Sequence, residues 1–363
     1  MIKLAIIIST LKNTGPTRVC LNLLTYIDKT IFDVHVITLS KEPNDSLIKE
    51  FEALGITIHQ INHGRLKGIY KNIISIKYLI KDLEIDIIHS HGFRPDIYSV
   101  FMPVKGKVST LHNVPFVDYV LKYGELKGRI MSFIHLNFLK LNKSSFVIFC
   151  SNAIKNKIIN IEGEVIVNGI DTEFFYPEYE KVQYFRNKFN IDKKIKRIFI
   201  STGSLIPRKN LKTLVKAFNK IDQEQNLLII LGDGPELKTL KLISNSGILY
   251  LGKHKDVRPY LQISDFFVSA SFSEGLPNAV LEALACGTNC ILSDISSHKE
   301  IFFNKREIFF APDDINKLHT LLKDSNTQKV NRDLNYKFCQ KHFSAEAMAI
   351  SYSKIYKSFL NNE

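Results

Sequence analysis

The feature that most constrains the fold is a repeated alternation of apolar segments with helical segments. Residues 2–8 are apolar apart from Lys3, which is typical of a strand buried on both faces of a parallel sheet. A loop and a helical pattern over 19–27 follow, and strand and helix patterns then alternate as far as 146–151. A second series starts at 197–202. The sequence therefore predicts an α/β protein with two Rossmann-like halves.

The length and one turn motif predict where the two halves divide. At 363 residues the chain is long enough for two domains of ordinary size. Asn168-Gly169 marks a sharp turn after a short strand, and the polar, aromatic and charged stretch 172–196 is the predicted connection. We predict three segments: a Rossmann-like domain over 1–175, a second over 176–343, and a C-terminal helix over 344–363.

A polar loop that leads into a short helix carries two carboxylates. Glu274 lies in the loop, and Glu282 lies on the helix eight residues later. Pro277 suits the first helical position and Gly287 suits the helix end. Helix N-terminal N–H groups can bind an anion, and Gly275 allows a ligand to approach the backbone. The two carboxylates could face one cleft, although two solvated helix charges would give the same spacing.

Two cations stand before another helix in the second series. Gly203 follows a predicted strand, and Arg208 and Lys209 come directly before the helix 211–220. Cations at a helix N-terminus add their charge to the helix dipole and to the free N–H groups, which together suit a diphosphate. A pair of exposed loop cations is the alternative interpretation.

Polar residues follow the predicted strands of the first half, at the sheet edge where parallel sheets bind ligands. His112 is the main candidate, because an imidazole can carry charge near neutral pH; a structural histidine is the alternative. His89 and His91 share one strand face, which could suggest a metal pair, but the sequence offers no third ligand. Gly15 lies in the first loop before Pro16, where a plain turn is the alternative.

Charge and composition exclude several classes of protein. The formal net charge is +13, but no nucleic-acid-binding module is visible. Residues 128–141 alternate apolar and basic residues at near-helical spacing, so they could lie on an anionic bilayer; a helix with a solvated basic face is the alternative. No apolar run reaches the roughly 18–20 residues of a membrane span. The five scattered cysteines indicate neither disulfides nor zinc. These features favour a cytoplasmic protein, with peripheral attachment to the inner face of the cell membrane left open.

Taken together, these motifs resemble the GT-B glycosyltransferases of family 4. The match consists of Glu274-x7-Glu282 with Gly-Leu-Pro-Asn after the first Glu, the Lys209-Asn210 pair, and an Asn-Gly-Ile-Asp segment that starts at Asn168. The resemblance implies two Rossmann-like domains whose parallel sheets face each other across a cleft. It also implies a C-terminal helix that crosses back to the first domain.

The resemblance assigns roles to single residues. Glu274 would hydrogen-bond the donor sugar, His112 would donate a hydrogen bond near the diphosphate, and Lys209 and Arg208 would contact the phosphates; these four are the expected catalytic residues. Glu282 would hold the ribose. The other positions expected to bind the nucleotide sugar are Gly275, Leu276, Pro277, Asn278, Gly15, Gly203 and His254.

The expected function is transfer of a sugar, with retention of configuration, from a nucleotide sugar to a hydroxyl of a glycan or polyprenyl-linked glycan in surface polysaccharide synthesis. The resemblance favours UDP-hexose or UDP-N-acetylhexosamine. The chain has no Asp-x-Asp, the motif that would chelate a divalent ion on a sugar nucleotide, so we expect no metal and no other cofactor.

Two other functions stay open. One is a non-catalytic sugar-nucleotide-binding subunit, motivated by Pro16 in the first loop, and the other is a sugar-nucleotide epimerase. A nicotinamide dehydrogenase is disfavoured, because Leu237 stands where the dinucleotide-binding fingerprint that starts at Gly232 needs its third glycine.

Overall fold

The computed structural model describes residues 1–64, 68–141, 145–302 and 308–360, and the chain forms two compact units. The first comprises Met1–Gly169 and Ala345–Glu363, and the second comprises Ile170–Ser344. The division falls directly after Gly169 rather than at 175. Residues 361–363 of the predicted C-terminal segment lie outside the described residues.

The first unit contains a seven-stranded sheet in which neighbouring strands are parallel. Its strands are β1 (Ile2–Ile8), β2 (Phe32–Thr38), β3 (Thr57–Gln60), β4 (Ile87–His91), β5 (Gly106–Leu111), β6 (Ser145–Phe149) and β7 (Gly163–Val165). They lie in the order β3-β2-β1-β4-β5-β6-β7. This is a doubly wound order, and its direction reverses between β1 and β4.

Helices connect these strands. They are α1 (Gly15–Tyr26), α2 (Ile48–Ala53), α3 (Ile69–Asp82), α4 (Phe93–Val100), α5 (Pro115–Tyr123), α6 (Glu125–Leu141) and α7 (Asn152–Lys155). The sheet is covered on both faces, as the apolar pattern of 2–8 predicted: Leu4 and Ile6 pack into one hydrophobic cluster, and Ala5 and Ile7 into another.

The second unit repeats this architecture with a six-stranded parallel sheet in the order β10-β9-β8-β11-β12-β13. Its strands are β8 (Arg197–Thr202), β9 (Asn226–Leu231), β10 (Ile248–Gly252), β11 (Phe266–Ser269), β12 (Asn289–Ser293) and β13 (Phe309–Phe310). Its helices are α8 (Val182–Lys188), α9 (Leu211–Phe218), α10 (Leu237–Leu242), α11 (Arg258–Ile263), α12 (Asn278–Ala285), α13 (Ser296–Ile301), α14 (Ile315–Asp324) and α15 (Arg332–Phe343). Here the strand order reverses between β8 and β11, which marks the expected ligand-binding edge.

A final helix, α16 (Ala345–Ser358), belongs to the first unit. Met348, Tyr352 and Tyr356 join the hydrophobic cluster beneath β1. The Tyr352 hydroxyl lies 2.9 Å from Thr110 Oγ1, and the Tyr356 hydroxyl lies 2.7 Å from His89 Nδ1. The predicted return of the C-terminal helix to the first domain is therefore confirmed.

Three element boundaries differ from the prediction. Helix α1 begins at Gly15 rather than at 19, because Pro16 lies in the first turn, where its fixed φ and missing N–H are tolerated. The predicted connection 172–196 belongs to the second unit and contains α8. The helix predicted over 128–141 begins at Glu125, and α5, which was not predicted, precedes it.

Candidate functional site

The carboxyl end of β8 leads into an anchored turn that carries both predicted cations. Gly203 has φ 135°, a conformation that side-chain-bearing residues rarely adopt. Pro207–Lys209 form a 3₁₀ turn, and Asn210 then adopts a left-handed conformation with φ 52°. The Asn210 amide donates to the carbonyls of Ala270 at 3.1 Å and Pro312 at 2.6 Å. The two cations of this turn therefore stand on a fixed backbone.

Two glycines after β9 support the same turn. A Cβ on Gly232 would lie 1.8 Å from the carbonyl oxygen of Gly203, and a Cβ on Gly234 would lie 2.4 Å from that of Leu205. Leu205 N–H also donates to the Asp233 carbonyl at 3.0 Å. These two glycines therefore allow the loop after β9 to pack closely against the backbone of Gly203 and Leu205.

Glu274 lies in the loop after β11 and binds both cations. Lys209 Nζ donates to Glu274 Oε1 at 2.6 Å, and Arg208 Nη1 donates to Glu274 Oε2 at 2.8 Å. Arg208 Nη1 also donates to the Ser273 carbonyl. Ser271 Oγ donates to Oε1 at 2.7 Å. The side chain of Glu274 is 7% exposed, so both carboxylate oxygens are held by donors in a largely buried position.

The charge of Glu274 is stabilised despite this burial. Burial alone would raise its pKa, but the charges of Lys209 and Arg208 and the hydrogen bonds from Lys209 and Ser271 outweigh it and lower the pKa of Glu274 to about 2. At neutral pH the residue is therefore an anion that accepts hydrogen bonds. Two cations and one carboxylate leave the cluster with a net charge of one positive unit.

The loop from Gly275 to Pro277 leads into α12. Pro277 is the N-cap, with extended backbone at ψ 99°, so the prediction that it occupies the first helical position was wrong by one residue. The helix ends at Ala285, and Gly287 has φ 78°, the left-handed conformation typical of a helix end. Glu282 lies on α12 and is 8% exposed.

One pocket of the second unit lies at the β8–β11 switch point. Gly203, Lys209, Glu274 and Pro277 line it together with residues of β8 and β11. The structure thus brings together predicted site residues that are separated by more than sixty positions in the sequence, as the Lys209–Glu274 bond shows. The other positions predicted in the second half are not part of this lining: Arg208, Gly275, Leu276, Asn278, Glu282 and His254.

A hydrogen-bonded support beneath Glu274 could not be predicted from the sequence. Ser293 Oγ, at the end of β12, donates to the Ser271 carbonyl at 2.7 Å. His298 Nδ1 lies 2.8 Å from the Ser293 carbonyl oxygen. Burial lowers the pKa of His298 to about 4, so the neutral ring donates from Nδ1. No spacing rule connects these residues, because they meet only when β11 and β12 pair.

His254, one of the positions expected to bind the nucleotide sugar, lies in the loop after β10. Its Nε2 lies 3.1 Å from the Leu251 carbonyl oxygen, and its ring meets the Tyr260 ring edge-on with centroids 4.7 Å apart. These contacts hold His254 and its loop in place.

In the first unit, His112 follows β5 and contacts His91 at the end of β4. His112 Nε2 lies 2.9 Å from His91 Nδ1, and the two rings are stacked with centroids 5.2 Å apart. Burial lowers the pKa of His112 to about 4. The expectation that this imidazole carries charge near neutral pH therefore disagrees with its environment, and His112 is suited to donate a hydrogen bond as a neutral ring.

The neighbouring positions of the first unit serve the fold. His89 and His91 share one strand face, with ring centroids 4.1 Å apart. Both His89 nitrogens are already engaged, Nδ1 with Tyr356 and Nε2 with Thr110. His89 is therefore a structural residue rather than half of a metal pair. Gly15 is the first residue of α1.

The outward face of α6 is apolar. We call Leu126, Ile130, Phe133 and Leu141 the α6 outer face; they recur at helical spacing and are 77%, 51%, 70% and 75% exposed. The inward face consists of Gly128, Ser132 and His135, which are small or polar, together with Leu139.

The contacts of the inward face show how α6 packs. A Cβ on Gly128 would lie 2.5 Å from the Val120 backbone, so α5 and α6 touch closely. His135 bonds Asp96 of α4 at 2.8 Å through Nε2 and Tyr119 of α5 at 2.9 Å through Nδ1. These contacts turn Gly128 and His135 inward, and the α6 outer face therefore lies on the opposite side of the helix. Among the described residues, no helix combines the length and apolarity of a membrane span.

Two parallel α/β units, each with a doubly wound strand order, define the class of two-domain Rossmann-like proteins. The family model described as Glycosyltransferase Family 4 matches residues 13–174, and the model described as Glycosyl transferases group 1 matches residues 183–335. The chain therefore belongs to the GT-B glycosyltransferases of family 4, and it is an enzyme whose role is sugar transfer.

Individual relatives agree with this assignment. The O-antigen biosynthesis glycosyltransferase WclY of Escherichia coli is 28% identical over 382 residues, which cover 98% of each chain. The UDP-Gal:alpha-D-GlcNAc-diphosphoundecaprenol alpha-1,3-galactosyltransferase of Escherichia coli is 27% identical over 315 residues, covering 82% of this chain and 80% of the relative.

The fold is shared with solved structures. Anabaena HepE, whose structure was determined in complex with UDP and glucose, is 15% identical to this chain. It superposes with a TM-score of 0.82 over 99% of this chain and 100% of HepE. The predicted GT-B fold with two parallel sheets is therefore confirmed.

Proposed function

We propose that this enzyme transfers a sugar, with retention of configuration and without a metal ion, from a UDP-sugar to a hydroxyl of a lipid-linked glycan in surface polysaccharide synthesis. The observation that carries the proposal is the cluster of Glu274, Lys209 and Arg208 at the switch point of the second unit. Two relatives support it: one is named for O-antigen biosynthesis, and the other for UDP-Gal and a diphosphoundecaprenol-linked acceptor.

The cluster suits a nucleotide sugar for electrostatic reasons. Its net positive charge attracts a diphosphate, and ammonium and guanidinium groups form strong charge-assisted bonds to phosphate oxygens. The ionised Glu274 accepts hydrogen bonds from sugar hydroxyls. We assign the ribose to Glu282, the base to the backbone around His254, and close approach of the donor to Gly203, Gly15 and the 275–278 segment (Gly275, Leu276, Pro277 and Asn278).

The proposed reaction breaks the bond between the anomeric carbon and the diphosphate oxygen, and UDP leaves with the electron pair. The acceptor hydroxyl oxygen bonds the anomeric carbon on the face from which UDP departs, and its proton passes to the departing phosphate oxygen. Lys209 and Arg208 offset the charge that grows on the diphosphate, and a hydrogen bond donated by His112 stabilises the substrate. The same cations would supply the electrostatic role that a metal ion has in other transferases.

Glu274 orients the donor sugar in this reaction and is not the nucleophile. Both of its oxygens accept hydrogen bonds, from Lys209 and Ser271 on one side and from Arg208 on the other. A carboxylate whose pKa is lowered to about 2 is also a weak base and a weak nucleophile. Direct attack by the acceptor hydroxyl therefore fits this site better than a covalent glycosyl-enzyme.

We also propose that the α6 outer face rests on an anionic membrane surface, where a lipid-linked acceptor resides. Lys127, Arg129 and Lys140 flank the apolar side chains on the same helix. Apolar side chains that enter the lipid interface beside cations that contact anionic headgroups are the pattern of a peripheral membrane helix. A contact between this face and a second copy of the chain would not require the flanking cations.

Purified enzyme, a panel of UDP-sugars and an undecaprenyl-diphosphate-linked acceptor test the proposal. We expect one donor to give product with the anomeric configuration of the donor, at a rate that EDTA leaves unchanged. An inverted product overturns the retaining assignment, and loss of activity in EDTA that Mg²⁺ restores overturns metal independence. Conversion of donor without acceptor would instead show an epimerase. Transfer only after addition of a second protein would show a non-catalytic subunit.

A further inference from the structure

The contact between His91 and His112 leaves one nitrogen atom of each ring unbonded by the described residues. His91 Nε2 is buried and has no hydrogen-bond partner there. His112 Nδ1 also lacks a partner among the described residues but, unlike His91 Nε2, it is not one of the buried unpartnered atoms. The pair therefore presents one accessible nitrogen atom, which belongs to His112.

Both rings are neutral at physiological pH. Burial lowers the pKa of His112 to about 4, and burial together with the nearby histidines holds the pKa of His91 well below its ordinary value. Each neutral imidazole carries a single N–H. One of the two atoms in the 2.9 Å contact must therefore be protonated and the other must accept.

Only two arrangements of protons satisfy this contact. If His112 Nε2–H donates, the His91 proton must sit on Nε2, where a buried N–H would have no acceptor. If His91 Nδ1–H donates, the buried His91 Nε2 is an unprotonated acceptor and the His112 proton sits on Nδ1. Buried N–H groups without a partner are rarer in proteins than buried acceptors without one, because the lost hydrogen bond is costly. The second arrangement is therefore favoured.

We propose that His91 is a positioning residue, which donates its Nδ1–H to His112 Nε2 and thereby holds His112 in the tautomer whose accessible Nδ1–H is a hydrogen-bond donor to the substrate. The substrate part of this inference rests on the proposed function. The tautomer part rests on the 2.9 Å contact between the two rings, on the burial of His91 Nε2 and on the neutral state of both rings. The parallel pairing of β4 with β5 fixes that geometry, because it sets His91 opposite Thr110, two residues before His112.

Long-range ¹H–¹⁵N correlation spectra of enzyme with ¹⁵N-labelled histidines test the tautomer directly. We expect His112 to be protonated at Nδ1 and His91 to be protonated at Nδ1. Protonation of His112 at Nε2 overturns the proposal. This measurement needs no substrate, so its failure is distinguishable from failure of the proposed sugar transfer.

Steady-state kinetics test whether the His91 hydrogen bond matters for sugar transfer. His91→Leu removes the donor, whereas His91→Asn retains an amide N–H at the position of Nδ1. We expect His91→Leu to lower kcat about 10- to 100-fold, by analogy with the loss of hydrogen-bonding partners that orient metal-bound histidines. The dissociation constant for UDP should stay unchanged, and His91→Asn should recover most of the loss. Equal kcat values in both variants overturn the positioning role.

Two controls separate this effect from a general loss of structure. His342→Leu changes an exposed histidine of α15 and should leave kcat unchanged. In a His112→Gln background, His91→Leu should have little further effect, because His91 acts through His112. A full additional loss in that background contradicts the proposal.

Discussion

Lys209 Nζ lies 2.6 Å from Glu274 Oε1, so a diphosphate that binds Lys209 must share this ammonium with a carboxylate. Glu274→Gln keeps the shape of the side chain and removes its charge. We expect the transfer rate to fall about 100- to 1,000-fold, because an oriented hydrogen-bonding group of the active site is lost. UDP should bind more tightly, because the cluster gains one unit of net positive charge.

Steady-state kinetics and calorimetric titration of UDP measure the two effects. The exposed Glu224→Gln is a matched control that should change neither. A Glu274→Gln variant that binds UDP more weakly would contradict this account of the site.

The second prediction concerns Lys209 itself. Lys209→Met keeps most of the apolar stem and removes the ammonium. We expect the dissociation constant for UDP to rise about 10- to 100-fold, because one charge-assisted hydrogen bond is lost. The affinity of the variant should also depend less on salt than that of the wild type. Lys216→Met, at an exposed position of α9, is the control. Equal UDP affinity in the two variants would exclude Lys209 from the phosphate site.

The third prediction follows from the neutral state of His112. Because burial lowers its pKa to about 4, the ring keeps one protonation state across the physiological range. We expect kcat/KM to show no His112-dependent inflection between about pH 6 and 8. The profile should keep its shape in His112→Gln, although the rate falls. An inflection near the ordinary histidine pKa that disappears in this variant would show that His112 acts as a charged group.

The fourth prediction concerns the support beneath the cation turn. Gly232→Ala should lower the free energy of unfolding by about 3 kcal/mol or more, because the new Cβ meets the Gly203 carbonyl at 1.8 Å and φ is 144°. Gly252→Ala is the matched control: its φ is 72°, but the space around it is open, so about 1 kcal/mol is expected. Denaturant unfolding measures both variants. If the two variants lose a similar amount of unfolding free energy, the backbone around Gly203 accommodates the new Cβ at little energetic cost.

The fifth prediction concerns the α6 outer face. Replacement of Leu126 and Phe133 by serine should abolish flotation with vesicles that contain anionic phosphatidylglycerol. Ile159→Ser, 87% exposed in the same unit, should have no effect. High salt or neutral phosphatidylcholine vesicles should weaken wild-type binding, because the flanking cations lose their partners. If the serine variant instead turns a dimer into a monomer in sedimentation, the face is an interface between copies.

The fold could be predicted from the sequence because each buried strand carries its signature locally. The apolar pattern of 2–8 matches a strand covered on both faces, and the alternation of strands and helices leaves few sheet orders open. The Glu274 loop and the Lys209 turn could be found for a similar reason, since each follows the carboxyl end of a strand. Strands β8 and β11 are neighbours, so these two segments meet.

The remaining features depend on contacts that no local pattern records. The apolar and basic spacing of 128–141 predicts a helix but not which face packs inward, and the inward face is set by Gly128 against Val120 and by His135 against Asp96. The neutral state of His112 depends on its burial beside His91. The support of Glu274 by Ser293 and His298 exists only once β12 lies next to β11.

Helix α16 has a consequence for synthesis of the chain. Met348, Tyr352 and Tyr356 complete the hydrophobic cluster of a unit whose other residues end at Gly169. A nascent chain therefore emerges from the ribosome with the docking site for α16 uncovered until residues 345–358 are translated. During that interval all residues of the second unit are present, whereas the first unit still lacks the helix that covers its apolar cluster. Loss of this helix, by a premature stop codon or by proteolytic clipping, would remove the packing partners of apolar residues in β1, at the opposite end of the polypeptide.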